Sequence, residues 1–445
     1  MAAGSPTPSL ISPSLRRELG VWTATSVVIA NMIGTGIFTT TGLMLAEVRS
    51  PGLVLLCWLA GGILALCGAL SYAELAAMWP RAGGEYVYLR EIYGPLPAFL
   101  TGWISFFVGF SAPVAAGAIS AATYLHAAGF LPPGWLAEKS AALLLVIALT
   151  AVHSVGLRIG ARTQNTLTAL KLFLLCSLIF AGFLIGTRAG DADFTLAYDA
   201  ASGHRLPVGL VMLWVMFAYS GWNAAAYLAE DVRDPARTLP RSLFAGTAVV
   251  ALLYLAMNLL YFYAAPSAAL SGQLPVGEIA ARHLFGPAAA RWYAVLVAVA
   301  LVSSLSAFIL IGPRVYFAMA RDSRFFPAAA LLHPRTGTPV ISLAAQCLCA
   351  CAMVLTGTFD QLLTYIGFAL GIFPLLAVFG VFVMRRRAPA LHRPWRVWGY
   401  PVVPAVFLLG MSWILLAAFL NRPGPPLVAL ATLAAGALVY RLLFR

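Results

Sequence analysis

Long, continuously apolar stretches separated by short polar segments dominate the chain. Each stretch can supply the roughly 20 helical residues that cross a bilayer. Because the apolar residues are continuous rather than alternating, membrane-spanning strands are excluded. The pattern predicts an all-α membrane protein with twelve spans, at about residues 21–45, 52–79, 96–126, 138–157, 163–186, 206–231, 240–265, 289–320, 338–357, 361–384, 401–420 and 425–443.

Two of these spans are interrupted near their centres by glycine and polar residues. The first span contains NMIGTGIF (31–38) and the sixth contains FAYSGWN (217–223). Two glycines within three residues each lower helix stability by roughly 1 kcal/mol relative to alanine. We therefore predict unwound segments at 34–36 and 218–221. The alternative for Gly-x-Gly alone is close packing of two helices.

The predicted breaks leave backbone groups free at mid-membrane. In the first span, N–H groups at Gly34, Thr35 and Gly36 begin a half-helix, where its positive dipole end favours a carboxylate. The preceding half-helix ends near Met32 and Ile33, so bare carbonyls there suit an ammonium group. Carbonyls of the sixth span also point at this level. Together these groups predict a site for an α-amino acid zwitterion, with further candidate residues Phe217, Ala218, Ser220, Trp222 and Asn223.

The side chains at the second break suggest how the site is shaped. Three aromatic residues flank this break: Phe217, Tyr219 and Trp222. Each of them either closes over a bound side chain and excludes water or belongs to the apolar core. Ser220 is small and polar, so we expect it to narrow the pocket without adding charge.

Lys171 lies within the apolar fifth span, in ALKLFLLCSLIFAG, and the chain has only one other lysine, Lys139. A charge at membrane depth costs several kcal/mol unless it faces protein or water, so Lys171 is a functional candidate. We expect carbonyls of the broken first span and the hydroxyls of Ser303, Ser304 or Ser306 to bind its ammonium. The residue then braces the broken helix or carries a coupled proton. The alternative is that it extends to the cytoplasmic surface.

No acidic residue was identified at mid-membrane, so a cationic substrate has no predicted counter-charge. The six histidines form no cluster and the six cysteines fall inside spans, so no metal site, cofactor or catalytic constellation is predicted. We therefore do not expect an enzyme, which needs clustered ionisable groups at depth. A channel is also not expected, because it needs a polar stripe through the bundle.

An internal repeat follows from the linkers. EYVYLREIYGPLPAF (85–99) follows the second span and VGEIAARHLFGPAAARW (276–292) follows the seventh, and each ends an amphipathic stretch with an aromatic residue and Gly-Pro. Because five spans are odd in number, the second copy enters from the opposite face. We predict a first repeat at 15–187, an inverted second repeat at 206–384, and two further helices at 385–445.

Charge distribution predicts the orientation. The net charge is +13, and with an internal N-terminus twenty of the 28 basic residues lie on the cytoplasmic side against seven outside. This bias is the positive-inside rule, so both termini are expected in the cytoplasm and a nucleic-acid partner is not. Residues 1–14, rich in Ser and Pro, are predicted to be disordered.

Four segments, IANMIGTGIF (29–38), SYAELAAMWPRAGGEYVYLREIYG (71–94), FAYSGWNAAAYLAED (217–231) and GPRVYFAMARD (312–322), resemble the amino acid–polyamine–organocation superfamily. The resemblance is greatest to the L-type amino acid transporters and their bacterial relatives. It implies the leucine-transporter fold, a five-plus-five inverted repeat with two extra helices. It also implies that residues 34–36 bind the substrate carboxylate, that carbonyls near Met32, Ile33, Phe217 and Ser220 bind the amine, that Phe217 gates, and that Lys171 replaces a sodium ion.

The predicted function is sodium-independent secondary transport of neutral L-amino acids, by exchange or proton coupling. The alternative is a cationic amino acid or polyamine transporter of the same fold. Ser220 stands where relatives with large substrates often have glycine, which argues against a bulky substrate. Animal relatives bind a glycoprotein through an external cysteine; residues 127–138 contain none, so that covalent partner is not expected. The expected location is the plasma membrane, in a prokaryote the inner membrane.

Overall fold

The structure is a computed structural model that describes residues 17–132, 134–191, 194, 196, 208–273, 275–356, 359–421 and 423–444. The predicted disordered segment 1–14 lies outside these residues, as does most of the predicted external segment 187–205. The described backbone is helical apart from turns and one isolated bridge between Leu19 and Val232. An all-α protein is therefore confirmed for the part of the chain that is described.

The helices follow the predicted apolar stretches closely. In chain order they are α1 (Val21–Met32), α2 (Gly36–Val48), α3 (Pro51–Met78), α4 (Glu85–Tyr93), α5 (Pro95–Ile104), α6 (Ala112–Ala127), α7 (Trp135–Val155), α8 (Leu157–Ile185), α9 (Val208–Ala218), α10 (Ala224–Tyr227), α11 (Pro235–Ala264), α12 (Ser267–Leu270), α13 (Val276–Phe285), α14 (Pro287–Arg321), α15 (Val340–Thr356), α16 (Phe359–Arg387), α17 (Val402–Asn421) and α18 (Gly424–Leu443). A π-helical segment, Ser105–Ser111, joins α5 to α6, and a 3-10 turn covers Pro327–Ala330.

Within the described residues, nine helical segments are long and apolar enough to cross a membrane. They are the α1–α2 pair, α3, the α5–α6 unit, α7, α8, α11, α14, α17 and α18. The remaining predicted spans coincide with α9 and α10, which are short, with α15, and with α16. The chain is thus a multi-pass membrane protein, and the full count of twelve spans stays a prediction.

Burial separates inner helices from outer ones. In the most apolar 18-residue stretch of the α1–α2 pair and of α14, 78% of the residues are buried. The corresponding share in α7 and in α8 is 22%. The outer helices expose large apolar side chains, such as Leu184 and Ile185, at 79% and 78%. Such an apolar surface suits contact with lipid, because the backbone N–H and C=O groups of a helix are already hydrogen-bonded to each other. The interrupted first span therefore lies at the centre, packed against α8, α11 and α14.

The two linkers behind the predicted repeat have the same local structure. Each contains a short helix, α4 or α13, and each helix ends at a glycine, Gly94 (φ 95°) or Gly286 (φ 87°). Proline then begins the next long helix, where its missing N–H has no cost. This agreement supports the repeat, while the inverted relation of the two halves remains a prediction.

Candidate functional site: a cavity between two helix breaks

The first predicted break is present. α1 ends at Met32 and α2 begins at Gly36, and between them the Gly34 N–H donates to the Met32 carbonyl at 2.8 Å. The N–H groups in the first turn of α2 have no partners within that helix. The positive end of the half-helix dipole lies at the same place, an arrangement that favours a negatively charged group.

The second break is also where the sequence predicts it, between α9, which ends at Ala218, and the short α10. The Ser220 N–H donates to the Phe217 carbonyl at 3.0 Å, closing a turn. Gly221 has φ of 100°, a conformation that side chains other than glycine rarely adopt. The break is thus a defined turn and not a frayed helix end.

Glycine allows the two breaks to touch. A Cβ added to Gly36 would lie 2.6 Å from both Cα and Cβ of Ala218, and one added to Gly221 would lie 2.8 Å from Cβ of Asn31. Two breaks from opposite halves of the chain are therefore in van der Waals contact. Close helix packing, the alternative for Gly-x-Gly, applies to Gly36. By contrast, a Cβ on Gly34 meets no heavy atom within 4 Å, so this glycine borders open space.

Tyr254 of α11 connects the same two segments. Its hydroxyl lies 2.5 Å from the carbonyl oxygen of Met32 and 3.0 Å from that of Ala218. The ring packs on Trp58 and Tyr219 at centroid distances of 5.2 and 5.1 Å. A single buried phenol thus holds the carbonyl ends of α1 and α9 beside each other.

A cavity of about 150 Å³ lies at the two breaks. Nine of the ten predicted substrate-binding residues line it: Met32, Gly34, Thr35, Gly36, Phe217, Ala218, Ser220, Trp222 and Asn223. Much of its remaining lining is apolar and comes from the π-helical segment, α6 and α14, including Phe110, Leu305 and Phe308. π-helical segments often occur at functional sites. Backbone polar groups on one wall and apolar side chains on the other suit a small molecule with a zwitterionic head and an apolar side chain.

Ile33 is the exception among the ten predicted residues. Its carbonyl accepts from the Lys171 ammonium at 2.9 Å and from the Ser304 hydroxyl at 2.6 Å. Ile33 does not line the cavity. Its carbonyl faces the fifth span because the chain turns sharply after Met32, so it belongs to the lysine site and not to the amine site.

Lys171 is fully buried and reaches the first break. Its Nζ lies 3.2 Å from the Ala30 carbonyl oxygen, 2.9 Å from that of Ile33 and 2.9 Å from Oγ of Ser304. Three acceptors match the three hydrogens of an ammonium. The side chain therefore connects α8 to the end of α1 and does not extend to the cytoplasmic surface.

Of the serines proposed as partners, only Ser304 binds Lys171. The Ser306 hydroxyl instead lies 2.9 Å from Nε2 of His153. Ser303 is buried, and no hydrogen-bond partner for its hydroxyl is found among the described residues. Successive residues on α14 point about 100° apart, so only one of three near neighbours faces the lysine.

Glu85, which sequence reasoning missed, also lines the cavity. Its Oε1 accepts from the Tyr72 hydroxyl at 2.8 Å and from Nδ2 of Asn223 at 2.5 Å, and its Oε2 lies 3.4 Å from the Thr101 hydroxyl. The expectation that no acidic side chain reaches the site is therefore wrong. Glu85 begins α4, in the linker between the second and third predicted spans. Because a linker is expected to lie outside the membrane, no local pattern indicated that Glu85 lies at the cavity.

Glycine explains why this linker approaches the cavity. Gly84 has φ of 51°, and a Cβ there would lie 2.7 Å from Cδ1 of Tyr227. The start of α4 therefore packs directly on α10. Burial raises the pKa of the Glu85 carboxyl above its usual value, and hydrogen bonds, that from Tyr72 first, oppose the rise.

Asn31 is a second residue that the sequence analysis overlooked. Its Nδ2 donates to the Val27 carbonyl at 3.0 Å, whereas no partner for its buried Oδ1 is found among the described residues. Asn31 lines the cavity, so this oxygen is an unused acceptor beside the break. The sequence does contain a signal for this residue, because Asn31 is a polar amide within an apolar predicted span.

These features define a multi-pass membrane protein with a small, two-sided binding cavity at the junction of two broken helices. The chain belongs to the amino acid permease family, whose model matches residues 19–439. The predicted membership of the amino acid–polyamine–organocation superfamily is thereby confirmed.

Curated relatives match over most of their length. The chain is 30% identical over 417 residues to the human (Homo sapiens) b(0,+)-type amino acid transporter 1, covering 92% of this chain and 84% of the relative. It is 30% identical to the mouse (Mus musculus) large neutral amino acids transporter small subunit 2, covering 96% and 81%. It is 29% identical to the mouse Asc-type amino acid transporter 1, covering 92% and 78%. These relatives are amino acid transporters and not enzymes.

Proposed function

We propose that the protein is a sodium-independent secondary transporter of neutral L-amino acids, working by exchange or proton coupling. The single observation that carries the proposal is the cavity at the two breaks, with free N–H groups at the start of α2 and carbonyl ends at α1 and α9. A carboxylate binds the first set and an ammonium the second. The relatives are transporters of amino acids, which supports the same substrate class.

We further propose where the amino acid lies. Its carboxylate binds the N–H groups of Thr35 and Gly36, because that of Gly34 already donates to the Met32 carbonyl. Its ammonium binds Oδ1 of Asn31 and a carbonyl oxygen near Phe217, since the Met32 carbonyl already accepts from Gly34 and Tyr254. Its side chain extends toward the apolar wall, where Ser220 limits its size. Phe217 acts as the gate, because it lines the cavity and is only partly buried.

Lys171 takes the role that a sodium ion has in related ion-coupled carriers. Its ammonium binds carbonyls at the end of α1 and a serine of α14, as a bound cation would. A protein that carries this charge covalently needs no sodium there. We therefore expect transport without sodium.

The membrane arrangement completes the proposal. We propose twelve spans, a five-plus-five inverted repeat over 15–187 and 206–384 with two further helices, and cytoplasmic termini in the plasma membrane, or the inner membrane of a prokaryote. The matching linkers at Gly94 and Gly286 support the repeat. We expect no disulfide-linked partner subunit, because residues 127–138 contain no cysteine.

A cationic amino acid or polyamine is the second candidate substrate. Glu85 favours it, because a carboxyl in the cavity wall is a possible counter-charge. Against it, Tyr72, Asn223 and Thr101 already occupy the carboxyl oxygens. The neutral substrate therefore fits better.

Uptake into proteoliposomes tests the proposal. Labelled alanine, serine, valine, leucine, arginine and putrescine are compared, with and without internal amino acid, sodium and a pH gradient. We expect uptake of the small and medium neutral amino acids, unaffected by sodium. Tight binding of arginine or putrescine with none of alanine or leucine would establish the second candidate instead. Strict sodium dependence would disprove the role of Lys171.

A further inference from the structure

Glu85 is linked directly to the second helix break. Asn223, the last residue before α10, donates its side-chain amide to Oε1 of Glu85 at 2.5 Å. Both side chains line the cavity. A change in the protonation of Glu85 therefore alters a hydrogen bond made by the unwound segment that borders the substrate.

The surroundings of Glu85 differ from those of the other buried or half-buried acids near the inner helix ends. Each of those acids has an arginine partner: Glu74 with Arg385 and Arg393, Glu230 with Arg321, Asp231 with Arg314, and Asp322 with Arg90. Among the ion pairs that the described residues form, none includes Glu85. Its charge, when present, is therefore held by neutral donors alone.

The titratable groups that face Glu85 are phenols. Tyr72 comes from α3, Tyr88 from α4 itself and Tyr227 from α10, while α5 contributes the neutral Thr101. On the other packing partners of α4, the charged groups near it bind elsewhere: Asp322, at the end of α14, binds Tyr86, and Arg387 of α16 reaches the Ile92 carbonyl. Phenols donate hydrogen bonds but do not neutralise a carboxylate at neutral pH.

Enclosing a neutral amino acid makes this arrangement costly. A carboxylate without a cation, once shut away from water, is destabilised by several kcal/mol, and such groups bind a proton instead. Burial already acts in that direction at Glu85. Lys171 lies beside the first break, but its amine is held by three acceptors of its own and does not line the cavity.

We propose that Glu85 is the proton-binding residue of the carrier, taking up one proton as a neutral amino acid is enclosed and releasing it when the cavity reopens. A hydronium ion on the entry side transfers its proton to a carboxylate oxygen, which gives a neutral carboxylic acid and a water molecule. The side-chain amide of Asn223 then rotates, so that the O–H of Glu85 donates to Oδ1 of Asn223. No other bond forms or breaks. This inference rests on the proposed amino acid transport and selects proton coupling over pure exchange.

The test measures protons and alanine in the same vesicles. Purified protein is reconstituted with a trapped pH-sensitive dye, the membrane potential is clamped with potassium and valinomycin, and labelled alanine is added outside at a series of pH values. Wild-type vesicles should acidify internally by about one proton per alanine, and an inward proton gradient should drive accumulation. The ratio of protons to alanine is independent of how much protein inserts.

Two variants of Glu85 and one matched control complete the design. Glu85→Gln should abolish the acidification and flatten the pH dependence of alanine entry, whereas Glu85→Asp should keep a proton-to-alanine ratio near that of the wild type. The control is Glu278→Gln, which changes an acid near the start of α13, in the linker equivalent to α4. Glu278 is partly exposed, pairs with Arg282 and does not line the cavity, so its variant should match the wild type.

The outcomes separate this inference from the proposed function. If wild-type vesicles take up alanine with no acidification, the Glu85 inference is wrong while amino acid transport stands. If Glu85→Gln still moves protons with alanine, another residue carries them. Vesicles that take up no amino acid at all would overturn the proposed function itself. Should Glu85→Gln fail to fold, the pH midpoint of alanine entry is compared between the wild type and Glu85→Asp: a shifted midpoint supports Glu85, and an unchanged one overturns the inference.

Discussion

Gly34 provides the most direct test of the carboxylate site. An added Cβ there meets no heavy atom within 4 Å, so Gly34→Ala places a methyl group in open space at the cavity. A methyl at this point also favours helix over the unwound turn by about 1 kcal/mol. The fold should tolerate the change, whereas the backbone N–H groups should lose their clear approach to the substrate.

The magnitude follows from the hydrogen bonds at risk. A hydrogen bond to a charged group contributes about 1.5–3 kcal/mol. Losing one therefore weakens alanine binding by roughly 10- to 100-fold. Gly36→Ala should behave differently, because its Cβ would lie 2.6 Å from Ala218 and overpacking costs about 1–3 kcal/mol of stability.

The assay compares binding with stability in lipid nanodiscs. The dissociation constant for labelled alanine and the thermal unfolding midpoint are measured for the wild type, Gly34→Ala and Gly36→Ala. Gly20→Ala is the control, since it adds a methyl in open space outside the breaks. We expect Gly34→Ala to lose affinity at a near-normal midpoint, and Gly36→Ala to lower the midpoint. Wild-type affinity in Gly34→Ala would refute the placement of the carboxylate.

Three further outcomes are expected from the same site. Lys171→Met removes the ammonium that binds the end of α1 and should slow alanine uptake at least about tenfold, because hydrogen bonds of roughly 1.5–3 kcal/mol each are lost. An unchanged uptake rate in proteoliposomes would contradict the proposal that Lys171 stabilises the broken helix. Ser220→Gly enlarges the cavity by a hydroxymethyl group and should improve uptake of leucine relative to alanine by roughly tenfold, which competition assays measure. Tyr254→Phe removes the hydroxyl that contacts the carbonyls of both breaks and should cost about 1–3 kcal/mol of stability by thermal unfolding. Tyr261→Phe, whose hydroxyl contacts lie at 3.4 Å, should have a smaller effect, and equal midpoints for the two variants would argue against Tyr254 as a connector.

The local features of this protein could be predicted from sequence because contiguous residues encode them. Apolar runs longer than a bilayer is thick specify helices, and closely spaced glycines destabilise a helix wherever it packs. The breaks at 33–35 and 219–223 therefore lie where the composition places them. The sequence also made Lys171 a functional candidate, but only the structure excludes its extension to the cytoplasmic surface, because its amine binds the Ala30 and Ile33 carbonyls.

Tertiary structure decided which groups meet. Lys171 contacts carbonyls 138 and 141 positions away, and Asn223 contacts Glu85 across 138 positions. No local pattern specifies such pairs, because they depend on how helices rotate and cross. Ile33 and Ser303 illustrate this. Ile33 follows a residue that lines the cavity, and Ser303 precedes the serine that contacts Lys171, but the sharp turn of the break and the 100° rotation per residue place their polar groups differently.

Glu85 shows the same division most clearly. Its sequence context, an acid after two glycines in a linker, is typical of a polar loop, and hydropathy places it outside the spans. Only packing brings it to the cavity, because Gly84 has no side chain and allows α4 to begin against Tyr227. Sequence alone thus predicted the helices, the two breaks and a lysine within an apolar span. Only the tertiary structure determined that the cavity contains the ionisable side chain of Glu85, because electrostatic interactions depend on distance in space and not on separation along the chain.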